Sequence, residues 1–146
     1  MNLNLIERES KAILHTYNRL PVEIDYANGC YIYDTDGDEY LDFLGGIAVN
    51  VLGHSHPEIV NAIIDQANKY LHVSNFFYQR PQVELAESLK YITGFDKVFF
   101  SNSGAESTEG AIKLARKWGQ LQNKKNIIAF TNGFHGRTYG ALSLME

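Results

Sequence analysis

The feature that most constrains this chain is an order of elements repeated near its C-terminal end: a short apolar run, then a glycine-bearing loop. Val98-Phe99-Phe100 leads into Ser101 to Gly104, then into Ala105 to about Gln120, where Ile112, Ala115 and Trp118 fall on one side of a helix. Ile127 to Phe130 leads into Thr131 to Gly140, a loop with three glycines. Short apolar runs suit strands buried on both faces. A strand–helix–strand unit returns the chain in the same direction, so the two strands are expected to be parallel. The expected fold class is α/β. A parallel sheet needs several strands and cover on both faces, and only two such runs are present. The residues therefore read as the front portion of a larger α/β protein; the alternative is a complete α+β domain of unusual topology.

The earlier sequence has a different character. Leu3 to Tyr17 carries Leu3, Ile6, Ala12 and Ile13 among charges and predicts a peripheral helix. Val22, Ile24 and Tyr26 alternate with Glu23 and Asp25, which is strand periodicity. Asn28-Gly29 is a two-residue hairpin signal, Cys30 to Tyr33 a second strand, Asp36-Gly37 a turn and Glu39 to Phe43 a third strand. Pro57 and Pro81 each suit the start of a helix. Ile59, Ile63 and Ala67 define the apolar face of the first helix; the second is expected to run to about Ile92. Two domains follow from this reading. Residues 1–75 hold the N-terminal helix, an antiparallel meander and a linking helix, and 76–146 begin a larger parallel-sheet domain that is incomplete.

Composition narrows the function classes. Seventeen acids against thirteen bases give a net charge of −4, without the basic footprint that nucleic acid demands. The single Cys30 excludes an intrachain disulfide and a cysteine-cluster metal site. Residues 1–11 lack the apolar core of a signal peptide, and Phe43 to Leu52 is too short to span a bilayer. A soluble, cytoplasmic protein with no nucleic-acid or membrane partner is expected.

Two loops carry chemistry. Ser101-Asn102-Ser103-Gly104-Ala105-Glu106 opens a helix, whose first N–H groups and dipole favour anions, phosphate above all. Gly104 lets backbone approach a ligand. Ser103 and Glu106 also fit a capping box, so the pair can be read as a cap alone. For the phosphate reading Glu106 must point aside. Neither a P-loop nor a Gly-x-Gly-x-x-Gly pattern is present. The second loop is Asn132-Gly133-Phe134-His135-Gly136-Arg137. Both loops follow strands and so lie at the end of the sheet where α/β proteins bind ligands. Phe134 offers a ring that can stack on a flat cofactor. Arg137 offers a guanidinium that can hold a carboxylate through two hydrogen bonds. The alternative is an ordinary glycine-rich loop with a buried Phe.

Weaker candidates read as structure. His54-Ser55-His56 lacks a third metal ligand nearby and suits a loop before a helix. Asp34, Asp36 and Asp38 lack the glycine position of a calcium loop and suit a turn. Ser74-Asn75-Phe76-Phe77-Tyr78 fits either a pocket or interface element or core packing.

In order and spacing, Tyr31-Ile32-Tyr33-Asp34-Thr35-Asp36-Gly37, Leu41-Asp42-Phe43, Gly46-Ile47-Ala48-Val49-Asn50, Gly53-His54-Ser55-His56-Pro57, Asn102-Ser103-Gly104-Ala105-Glu106 and Phe134-His135-Gly136-Arg137-Thr138 resemble class III aminotransferases, pyridoxal-phosphate enzymes of fold type I. The resemblance covers nearly the whole chain. It implies that the amides of Gly104 and Ala105 hold the cofactor phosphate, that Phe134 stacks on the pyridine ring and that Arg137 binds the substrate carboxylate. It further implies a homodimer, and transfer of an amino group from N-acetylornithine to 2-oxoglutarate, giving N-acetylglutamate 5-semialdehyde and glutamate in arginine biosynthesis. Ornithine, 4-aminobutyrate or succinylornithine are alternative donors, and a non-catalytic phosphate- or cofactor-binding module is the alternative from another class. Ser107 and Thr108 depart from the Ala and Asn common in the family. No catalytic residue is assigned in this segment. The family's Schiff-base lysine is expected downstream, because none of the eight lysines stands in its context. Lys113, nine residues into the helix, lies about 13 Å along its axis from the phosphate end. The segment alone is expected to be inactive.

Overall fold

The computed structural model describes residues 4–145. The chain divides into two compact units, Met1–Phe76 and Phe77–Glu146, and each is described by itself.

The first unit opens with α1 (Leu5–Ala12), capped by the Asn4 side chain, which accepts from the Glu7 amide at 2.9 Å. Glu7 in the first turn and Lys11 in the last suit the helix dipole. The helix stops at Ala12, short of the Tyr17 expected from the pattern, and Leu3 lies outside the described residues. The meander follows as an antiparallel sheet in the order β1 (Ile24–Asn28), β2 (Tyr31–Asp34), β3 (Glu39–Leu41). Asn28 pairs with Tyr31, so the two-residue loop is Gly29-Cys30 and not Asn28-Gly29. The shift has a cause: Gly29, at φ 56°, also exchanges both backbone hydrogen bonds with His54. Val22 stays outside β1, its amide bonded to the Leu20 carbonyl. Tyr26 and Tyr33 stack across the sheet with centroids 4.4 Å apart.

Asp34 is the polar hub of the β2–β3 turn. Its carboxylate accepts from the amides of Asp36 (3.0 Å) and Asp38 (2.8 Å) and from the Tyr40 hydroxyl (2.8 Å). The three aspartates thus build a turn, as their spacing suggests. After β3 comes one turn, α2 (Gly45–Ala48), wound in the left-handed sense: φ is 52°, 65°, 62° and 59° at Gly45, Gly46, Ile47 and Ala48. The two non-glycine residues cost about 1–2 kcal/mol each in that conformation. It is held by Asp42, which accepts from the amides of Leu44 (2.8 Å) and Gly45 (3.0 Å) and meets His54 Nε2 at 2.7 Å. His54 is thereby committed to structure, as the loop reading of His54-Ser55-His56 anticipates. No cluster of metal-binding side chains exists among the described residues. The helix α3 (Pro57–Lys69) has Pro57 in its first turn.

The second unit opens with α4 (Arg80–Thr93), which ends on Gly94 at φ 74°. This is the left-handed terminus that glycine favours. Then come α5 (Gly104–Leu121) and the one-turn α6 (Tyr139–Leu142). Here the structure corrects one expectation. Neither Val98–Phe100 nor Ile127–Phe130 belongs to a strand, and no parallel pair forms among the described residues. A strand exists only through its ladder partner, and these two segments do not serve as partners for each other. Phe99 instead lies against α5, where its ring comes within 3.3 Å of the place a Cβ on Gly110 would take. Gly110, which lowers intrinsic helix propensity, makes that contact possible. Phe76, Phe77 and Tyr78 are exposed, so they are not core residues. No helix is long and apolar enough to cross a membrane among the described residues.

Candidate functional site

The site lies in the second unit, on the first two turns of α5 and the loop that follows Phe130. Ser103 is the N-cap of α5. Its hydroxyl accepts from the Glu106 amide at 3.2 Å. Glu106 answers by accepting from the Asn102 amide at 2.6 Å. This is the capping box expected from Ser-x-x-Glu, reaching one residue further back than usual. It also disposes of the objection that Glu106 would repel an anion, since its carboxylate is bound to the loop before the helix. The amides of Gly104 and Ala105, in the first turn, have no acceptor among the described residues. No atom stands within 4 Å of the Cβ position on Gly104. The helix thus offers two free donors in open space at its positive end, a fit for a phosphate group.

Ser107, one of the departures noted in the sequence, reaches back to this turn. Its hydroxyl is 2.6 Å from that of Ser101 and 3.2 Å from the Ser103 carbonyl. The Thr108 hydroxyl donates to the Gly104 carbonyl at 3.0 Å. Neither hydroxyl blocks the two free amides.

The second loop meets the first at Gly136. Gly136 has φ 125°, and a Cβ there would fall 2.7 Å from Ala105 Cβ and 3.2 Å from Ala141 Cβ. Only glycine fits in that space and at that angle. The residue behind the free Ala105 amide is therefore the one on which the second loop rests. Phe134 and Arg137 flank this contact. The Arg137 guanidinium lies 5.8 Å from the centroid of the Phe134 ring, within cation–π range. Both side chains are exposed, so Phe134 is not the buried loop anchor of the alternative reading. The His135 backbone amide donates to Met145 Sδ at 3.1 Å.

One residue of this arrangement was not legible from sequence. Glu109, in the second turn of α5, accepts from the Thr138 hydroxyl and from the amides of Gly140 (3.0 Å) and Ala141 (3.2 Å). The Thr138 hydrogen bond, with the two amides and nearby Lys113, holds its carboxyl below the usual carboxylate range. A Glu on the exposed side of an amphipathic helix looks like solvated charge. Only its four-residue spacing from Ala105 hints that the two share a face.

The sequence positions Gly104, Ala105, Phe134 and Arg137 are thus drawn toward one end of α5. The chain belongs to the class-III aminotransferases, whose family model matches residues 12–146. Among its relatives, the acetylornithine aminotransferase of Archaeoglobus fulgidus is 48% identical over 142 residues, covering 97% of this chain and 37% of that protein. Among solved structures, the acetylornithine aminotransferase of Elizabethkingia anophelis matches with a TM-score of 0.76 and 40% identity, over 86% of this chain and 33% of that one. The ornithine aminotransferase of Toxoplasma gondii matches with a TM-score of 0.85 and 29% identity, over 96% and 34%. The chain spans little more than a third of the length of the curated relatives it matches.

Proposed function

We propose that this chain supplies the cofactor-holding part of a pyridoxal-phosphate-dependent aminotransferase whose donor is N-acetylornithine and whose acceptor is 2-oxoglutarate. The observation that carries the reading is the contact of Gly136 on Ala105, which puts the Phe134–Arg137 loop beside two free helix amides. The names of the relatives at 47–51% identity support the choice of donor.

In this reading the amides of Gly104 and Ala105 donate to the cofactor phosphate, and the dipole of α5 adds to the attraction. Phe134 lies against the pyridine face. The Arg137 guanidinium binds the donor carboxylate through two parallel hydrogen bonds and so aims the reacting amine. Bound pyridoxal phosphate supplies an electron sink for the charge that develops when the donor's carbon–hydrogen bond breaks. The proton-transferring lysine is assigned to none of the eight lysines here. A homodimer acting in the cytoplasm, in arginine biosynthesis, completes the proposal.

The test is Arg137→Ala in the full-length protein. Loss of a charge-assisted carboxylate contact is expected to raise KM for N-acetylornithine about 10- to 100-fold, with the cofactor's absorbance retained. Loss of that absorbance, or an unchanged KM, overturns the role of Arg137. A wild-type enzyme that prefers ornithine to N-acetylornithine overturns the choice of donor and leaves the class in place.

A further inference from the structure

Arg137 is the middle residue of a short span tied down on both sides. Before it, Gly136 is pressed on Ala105. After it, Thr138 donates its hydroxyl to Glu109, and the same carboxylate oxygen takes the amides of Gly140 and Ala141. Ala105 and Glu109 are four residues apart on α5 and therefore lie one above the other on the same face. Gly140 leaves no room for a Cβ beside the Glu109 carboxylate, so the chain runs close against it. A carboxylate with three donors and a nearby cation, Lys113, is a fixed anchor rather than a mobile surface charge.

Resting on the functional reading above, we propose that Glu109 is a positioning residue for Arg137: by gripping Thr138, Gly140 and Ala141 it sets where the guanidinium stands relative to the first turn of α5. Among the described residues the hydrogen-bond donors to the Glu109 carboxylate are Thr138, Gly140 and Ala141, not the proposed phosphate donors. Its loss should loosen carboxylate recognition and leave the cofactor's hold intact.

The experiment compares Glu109→Ala and Glu109→Gln with wild type in the full-length holoenzyme. Glu109→Ala is expected to raise KM for the carboxylate-bearing donor at least tenfold, with kcat lowered less than threefold and the Kd for pyridoxal phosphate changed less than twofold. Hydrogen exchange at the Gly140 and Ala141 amides should speed up, while the amides of 107–113 are unaffected. Tryptic cleavage after Arg137 should accelerate at least fivefold. Glu109→Gln, which keeps an accepting oxygen, should recover most of the KM. An unchanged KM, or parallel losses in KM, cofactor affinity and melting temperature, overturns the proposal. A wild-type protein without transaminase activity overturns the functional reading alone. Amide exchange and tryptic cleavage then still decide the grip on the loop, and no change in either overturns it.

Discussion

Gly136 and Gly104 divide the work that sequence reasoning assigned to Gly104 alone. Gly104 is the glycine expected to let a ligand approach, and its Cβ position is open. Gly136 is the one with no room and with φ at 125°. Gly136→Ala combines a strained backbone with a clash against Ala105, and is expected to destabilise the second unit by about 1–3 kcal/mol. A thermal melt with and without pyridoxal phosphate checks this. In the same variant cofactor affinity should fall, because the second loop can no longer rest on the turn proposed to hold the phosphate. An alanine variant with wild-type melting and affinity would remove the contact from the account of the site. Phe134 and Arg137 stand out in the sequence because a ring and a guanidinium carry distinctive chemistry, whereas Gly104 and Ala105 stand out only through their place at a helix start and the family resemblance. Glu109 was not, because a glutamate announces a partner only when the partner's place in space is known.

At the scale of elements, the helices were the legible part. Pro57, Pro81 and Ser103 act at helix starts through local backbone chemistry, which a sequence displays directly. The strands expected at Val98–Phe100 and Ile127–Phe130 do not form among the described residues, because an apolar run states a preference for burial but not which segment will pair with it. The left-handed turn α2 was also missed, since Ile47 and Ala48 have no local reason to adopt positive φ. Their conformation is imposed by Asp42, whose carboxyl is held below its ordinary value first by His54 and then by the Leu44 and Gly45 amides. The sign follows. A carboxyl with a lowered folded-state pKa stabilises the fold above its unfolded value of about 3.9, and that stability is lost as pH falls through the folded value. Exchange protection at Leu44 and Gly45 is therefore expected to hold at neutral pH, to persist down to the unfolded value of about 3.9, and to be lost only on acidification below it. Asp42→Asn should remove that acid limb. A pH-independent protection in the wild type would show that the carboxylate is not what holds the turn.

At the scale of the whole molecule, exposed surface is the governing quantity. The chain exposes 13,523 Å², against about 7,600 Å² for a folded monomer of 16.5 kDa. Among the described residues, Ala141 is the only buried hydrophobic side chain, whereas Ile47, Phe76, Ile128 and Phe130 are each close to nine-tenths exposed. Apolar surface on this scale binds other apolar surface. A 146-residue chain made on its own is expected to bind a fluorescent hydrophobic dye strongly and to sediment as aggregates at micromolar concentration. A monodisperse, dye-silent preparation would contradict this. The grip of Glu109 on Thr138 belongs to a different regime, because it spans only 29 positions of sequence. On a ribosome such a contact can close once its second half has cleared the exit tunnel, without waiting for segments further off in sequence. The proposed placement of Arg137 thus depends on contacts of short sequence range.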